Sequence, residues 1–166
     1  MSKSPDTEKV VTLDSLSAHL NADNFTTYFD LIKSSLDSLS TDQAIIFFSR
    51  ALKSPYKTNQ QMTTIHYQLA EEYFRKTDYD SAIIHVDQLV ANFDHAVPRE
   101  VALGLEVKAV CLSATEKIEE LHQLFTEHGN FLKTDFPSNF LYVYDNIIYN
   151  YLIASKYDEV ISEGRK

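Results

Sequence analysis

Leu69-Ala70-Glu71-Glu72-Tyr73-Phe74-Arg75-Lys76-Thr77-Asp78-Tyr79-Asp80-Ser81-Ala82-Ile83 carries the pattern that decides the fold of this chain. Leu69, Ala70 and Tyr73 keep the three- and four-residue spacing of a helix face, Lys76-Thr77-Asp78 interrupts it, and Tyr79, Ala82 and Ile83 resume it. So short an interruption predicts a tight turn between two antiparallel helices. Ala70 and Ala82 are small, as a close helix crossing requires, while Tyr73 and Tyr79 are bulky enough to fill the space beside it.

The pattern recurs along the chain. Tyr79-Asp80-Ser81-Ala82-Ile83 returns as Tyr157-Asp158-Glu159-Val160-Ile161, an interval of two steps of 39. A step of 39 carries Ala82 to Leu121 and Tyr79 to Ile118, and a step of 38 backwards reaches Thr41-Asp42-Gln43-Ala44-Ile45-Ile46. The preceding helices keep the same step, Ala70 mapping to Ala109 and Ile148, Tyr73 to Leu112 and Tyr151. Helix pairs at a fixed period are the mark of stacked repeats in which each unit completes its neighbour's core.

Residues 1–12 are polar and without period and read as a flexible tail, although Val10, Val11, Leu13, Leu16 and Leu20 have spacings that suit a short helix. Residues 13–166 read as one repeat domain. Asp23 or Asn24 caps a helix carrying Phe25, Tyr28, Phe29, Ile32 and Leu36; Ser40 or Thr41 opens the next, with Ala44, Ile45, Phe48 and Leu52 inward, and Ser54-Pro55 closes it. A third helix spans about residues 59–76, and a fourth starts at Tyr79 with Ala82, Ile83, Val86 and Leu89 inward. Pro98 opens a fifth, with Leu105, Ala109 and Leu112 inward. The sixth carries Ile118, Leu121, Leu124 and Phe125 and is expected to stop near Gly129, which suits a left-handed C-terminal residue. Pro137 opens a seventh to about Ser155, and Tyr157–Glu163 reads as the start of an eighth.

With its Leu-small pair, Tyr, polar-aromatic turn and Ala, the stretch from Leu69 to Ile83 resembles the tetratricopeptide repeat, and residues 24–163 are similar to that family as a whole. The resemblance implies an all-α fold: a right-handed superhelical stack of antiparallel pairs, about four of them, the last shortened. It also implies a concave groove lined by the first helix of each pair, showing Phe29 and Lys33, then Tyr67, Glu71 and Phe74, then Glu106, then Tyr142, Asn146 and Tyr149. Asn146 would clamp a peptide backbone through its amide. The chain also resembles the repeat domain of the peptide-sensing bacterial regulators of the Rgg kind, without the DNA-binding domain that normally precedes it; the stretch before Leu13 is too short to hold one.

Composition narrows the chemistry. Hydrophobic residues are 44% of the chain against 3 Gly and 4 Pro, which suits long helices and short connections. Fifteen Lys and Arg against 24 Asp and Glu give a net charge of −9, which repels phosphate backbones and anionic lipid. The one cysteine, Cys111, lies in an apolar run and reads as a core residue, leaving neither an internal disulfide nor a cysteine metal cluster. The six histidines lack metal-binding spacing, apart from the lone Glu119-Glu120-Leu121-His122, and glycines at only 104, 129 and 164 form no phosphate loop. No signal-like or membrane-length apolar run is present.

The sequence therefore predicts a cytoplasmic, non-catalytic module without cofactor or metal, which binds a protein or peptide and neither nucleic acid nor membrane. Acidic groove residues favour a basic ligand. The aromatic run Phe136–Tyr151, with Phe140, Tyr142, Tyr144 and Tyr149, exceeds what one buried stripe needs. Repeat packing accounts for much of it, and a tyrosine-lined contact surface for the rest. Three alternatives stand beside this reading: the sensor part of a peptide-responsive transcriptional regulator, an all-α enzyme with an unrecognised site, and a homodimer joined through an open last repeat.

Overall fold

Side-chain caps set several of the helix starts. In the computed structural model, Ser40 Oγ accepts from Gln43 N–H at 3.3 Å while Gln43 Oε1 accepts from Ser40 N–H at 2.9 Å, and Thr58 and Gln61 form the same reciprocal box. Asp78 caps the helix after it by accepting from Ser81 N–H at 3.2 Å. The structure describes the backbone of residues 5–163 and the side chains of residues 10–150, 152 and 153. Within them the chain is all-helical: α1 Pro5–Ser17, α2 Phe25–Ser35, α3 Thr41–Lys53, α4 Asn59–Arg75, α5 Tyr79–Ala91, α6 Pro98–Ala114, α7 Ile118–Asp135 and α8 Pro137–Glu163. Single 3-10 turns come after α2 (Leu36–Ser38) and α5 (Phe93–His95).

The helix starts keep step. Asn59, Pro98 and Pro137, which open α4, α6 and α8, are spaced by the step of 39 read from the sequence, as are Tyr79 and Ile118, which open α5 and α7. Thr41, which opens α3, precedes Tyr79 by a step of 38. The turn that ends α4 is repeated at the end of α6. Thr77 and Glu116 both have positive φ, 59° and 57°. Around them Asp78 N–H reaches Tyr73 O and Lys117 N–H reaches Leu112 O, with Thr77 N–H to Phe74 O and Glu116 N–H to Ser113 O inside. Both are Schellman closures, which satisfy the last carbonyls of the helix.

Two compact units divide the chain at Val101/Ala102, inside α6. In the first, α1 packs on α2 and α3, and contacts continue from α2 to α3, α3 to α4 and α4 to α5. Its core gathers Leu13, Phe25, Tyr28, Ile32, Phe47, Phe48, Ile65 and Leu69. Tyr28 is fully buried, its hydroxyl donating to Phe47 O at 3.1 Å, and burial raises its pKa. Ala70 and Ala82 are both 0% exposed. In the second unit α7 packs on α8, Asn150 of α8 reaches Ser113 of α6 at 2.7 Å, and Phe125 of α7 meets Phe140 and Tyr144 of α8 at ring distances of 5.3 and 5.7 Å.

Several sequence expectations need correction. Helix α1 begins at Pro5, well ahead of Leu13, because Pro suits a first turn whose N–H groups have no partner anyway. The buried face of α3 is wider than expected, adding Phe47 and Ala51 to Ala44 and Phe48, while Ile45 and Leu52 are half-buried and pack against the edge of that core. Gly129 does not end a helix. It is buried inside α7, where an added Cβ would meet the Phe125 ring at 3.7 Å, and α7 stops instead before Pro137. No break forms near Ser155 either: α8 runs unbroken to Glu163, because Ala154-Ser155-Lys156 contains nothing that forces a turn. The repeat matches at Tyr151, Tyr157 and Val160 involve side chains outside the described residues.

Candidate functional site

Within the first unit, α2, α4 and the first turn of α6 bring together the residues that the groove reading singles out there. Phe29 is 5% exposed, stacked on Phe25 with ring centroids 6.4 Å apart, and Lys33 Nζ lies 5.5 Å from its ring centre. Phe29 is therefore floor, and Lys33, one turn further along α2 and exposed, is the group that meets solvent. Tyr67 is 8% exposed; burial chiefly, and then the charge and hydrogen bond of Glu71, raise its pKa, so its hydroxyl is a neutral donor to that carboxylate. Phe74, half-buried, closes this end of α4 against Tyr79 at 6.2 Å.

Two further residues belong to this face. Thr64 Oγ1 donates to Glu100 Oε2 at 2.9 Å. Burial raises the Glu100 pKa, while the Thr64 bond and the Lys33 charge pull it down. A carboxylate from the start of α6 thus sits within electrostatic reach of the α2 cation and of Tyr67. Sequence reading missed both. Thr64 is one helical turn before Tyr67 and so was legible as a neighbour on the same face; Glu100 needed the placement of α6 against α4, which spacing alone does not give.

In the second unit Glu106 of α6 bonds Asn139 of α8, and Tyr142, Asn146 and Tyr149 follow Asn139 at three- and four-residue spacing along α8. Glu106 is half-buried with its pKa raised by burial, and its carboxylate accepts from Asn139. Asn146 Nδ2 donates to Tyr142 O of its own helix at 2.9 Å, which uses one of the two N–H groups of its amide. Tyr142 is 50% exposed on that helix. Tyr149, 61% exposed, lines a cleft of about 320 Å³ with Ser113, Glu116, Ile118 and Asn150.

A separate polar pair lies between α4 and α5. His66 Nδ1 and His85 Nδ1 are 3.0 Å apart, and the Tyr73 ring stacks on His85 at 5.4 Å and 14°. Burial first, then the neighbouring His85 and Lys57, depress the His66 pKa to about 4; burial also lowers that of His85. The rings are neutral at pH 7, one donating the shared proton and the other accepting it. Among the described residues no cluster of three or more His, Cys, Asp or Glu side chains is placed to hold a metal ion, and no helix is long and apolar enough to cross a membrane.

The fold and this face define a class, an all-α protein with repeat-like helices. No family model, curated protein or solved structure matches the chain at a significant level.

Proposed function

We propose that this protein is a non-catalytic binding module: a tetratricopeptide-like, right-handed stack of antiparallel helix pairs whose first helices hold an extended peptide or a partner helix. The observation that carries the reading is the polar face of the first unit. There Lys33, Thr64, Tyr67, Glu71 and Glu100 come from three different helices above a floor of buried aromatic rings. Convergent polar groups over an apolar floor suit main-chain and side-chain recognition of a peptide. Glu71 and Glu100 outnumber Lys33, so the favoured ligand is basic, with polar or aromatic residues to set against Tyr67.

Fluorescence anisotropy with short basic and acidic peptides of matched length tests this. A basic peptide is expected to bind tighter, more so at low salt. Replacing Glu71 and Glu100 together by Gln is expected to weaken it about tenfold, the size of a ~1.4 kcal/mol contribution. Equal binding of both peptides, or no loss in the double variant, would count against the face.

A further inference from the structure

We infer that the second unit holds a binding cleft for a small aromatic amine, beside the turn between α6 and α7. Comparing the two equivalent turns shows how the cleft arises. Thr77 N–H reaches Phe74 O, and Glu116 N–H reaches Ser113 O, in matching closures. Phe74 and Ser113 therefore stand at the same place, as do Tyr79 and Ile118, which open the helices that follow. At the earlier turn the rings of Phe74 and Tyr79 meet at 6.2 Å. At the later one a hydroxymethyl group and a branched aliphatic chain stand where the two rings were.

A helix pair closed by Ser113 in place of Phe74 is short of about one phenyl ring of side chain, and protein interiors leave few voids larger than a water molecule. Here the space stays open. A cleft of about 320 Å³ lies against Ser113, Glu116, Ile118, Tyr149, Asn150 and Ile153, at the lower end of the range for small-molecule sites. Ile118, Ile153 and the Tyr149 ring give it apolar walls against which an aromatic ring packs. All of these residues belong to the second unit, so the cleft is independent of the polar face that carries the peptide reading.

The polar groups select a cationic donor. Asn150 Nδ2 spends both its hydrogens, on Ser113 Oγ and on Asn146 O, each at 2.7 Å, which leaves the amide oxygen as an acceptor. Glu116 adds a carboxylate on the exposed rim. Ser113 and Ala114 form the C-terminal end of α6, where the helix dipole is negative, and Glu119 and Glu120 in the first turn of α7 offset the positive end of that helix. In a chain of net charge −9, such a cleft attracts an ammonium and repels a carboxylate. An ammonium on a short chain from a phenyl ring meets both requirements. The ring takes the space that Phe74 fills at the earlier turn, and the ammonium donates to the Glu116 carboxylate and the Asn150 amide oxygen.

Titration of the full chain with phenethylamine, followed in amide NMR spectra, is expected to give saturable shifts at Glu116, Ile118 and Asn150 with a Kd of about 1 mM or tighter. Phenylpropionate, of similar length and opposite charge, and ethylamine, which lacks the ring, are expected to bind at least about tenfold more weakly. Glu116→Gln, a change on the exposed rim, is expected to weaken phenethylamine about tenfold. Ser113→Phe, which restores the ring of the earlier turn, is expected to abolish the shifts. No saturable shift at these residues up to about ten times the expected Kd overturns the proposal. So does equal binding of phenylpropionate, an unchanged Kd in Glu116→Gln, or binding that survives Ser113→Phe.

Discussion

Two imidazole nitrogens 3.0 Å apart can share one proton but cannot hold two, and that makes the His66–His85 pair the most acid-sensitive contact between α4 and α5. His66 titrates near 4 when folded and near its ordinary value, about 6.5, when unfolded, so the unfolded chain binds more protons in between. Stability contributed by the neutral ring is complete above pH 6.5 and falls as pH drops through 4. At pH 5 the loss is about 2 kcal/mol. Glu72, Glu100 and Glu106 act in the opposite sense: burial raises their pKa values, so the folded state gains stability as they protonate. The histidine contribution is therefore read as a difference. The melting temperature of His66→Asn is expected to lie below that of the parent at pH 7.5, with the gap narrowing or closing at pH 5; a gap independent of pH would mean that the pair does not titrate. Nothing in the sequence announced this pair. It is formed across the turn between α4 and α5 by residues 19 positions apart, whereas a search for metal spacing looks along a single helix.

Turns, more than helices, carry the repeat at the level of elements. Thr77 and Glu116 hold the left-handed position of two equivalent closures, a place where Gly is the usual residue and a β-branched side chain is strained. Thr77→Gly is expected to stabilise by about 1 kcal/mol, raising the melting temperature by roughly 2–4 °C in a chain of this size. Glu116→Gly is expected to gain less, because its side chain is unbranched at Cβ. Scanning fluorimetry of the two variants checks the order, and a fall for Thr77→Gly would show that the Thr77 hydroxyl bond to Lys76 O, 2.6 Å long, outweighs the strain. Helix starts were largely legible because caps and Pro are local chemistry: Ser40, Asp78, Pro98 and Pro137 each stand at or next to the first residue of a helix. Helix ends were less so. Gly129 looked like a stop but lies buried in α7 with the Phe125 ring against it, and Ser155 looked like a boundary inside what is one helix. Whether a weak breaker ends a helix depends on what packs beyond it, and that is tertiary information.

For the molecule as a whole, the step of 39 is a stronger statement than any single helix, because α4, α6 and α8 start in register although their sequences share few identities. The step was readable in Ala70, Ala109 and Ile148; the placement of Lys33 of α2 within electrostatic reach of Glu100 of α6, on which the candidate face rests, was not, since no period relates two different helices to one ligand. A fixed step makes a claim about architecture that insertion can test. In a stack, each unit meets only its neighbours, so one extra unit adds one extra interface and disturbs no other. A closed bundle has a fixed number of places around one core, and an added helix pair would have to break it. Duplicating residues 59–97 in frame before Pro98 is therefore expected to give a soluble chain with the same helicity per residue by circular dichroism. Its melting temperature should be equal or higher, since the inserted α4/α5 pair would repeat Ala70 and Ala82, which are fully buried in the parent. Loss of helicity, or aggregation of the lengthened chain while the parent stays folded, would place these helices around one common core and remove the groove from the proposed function.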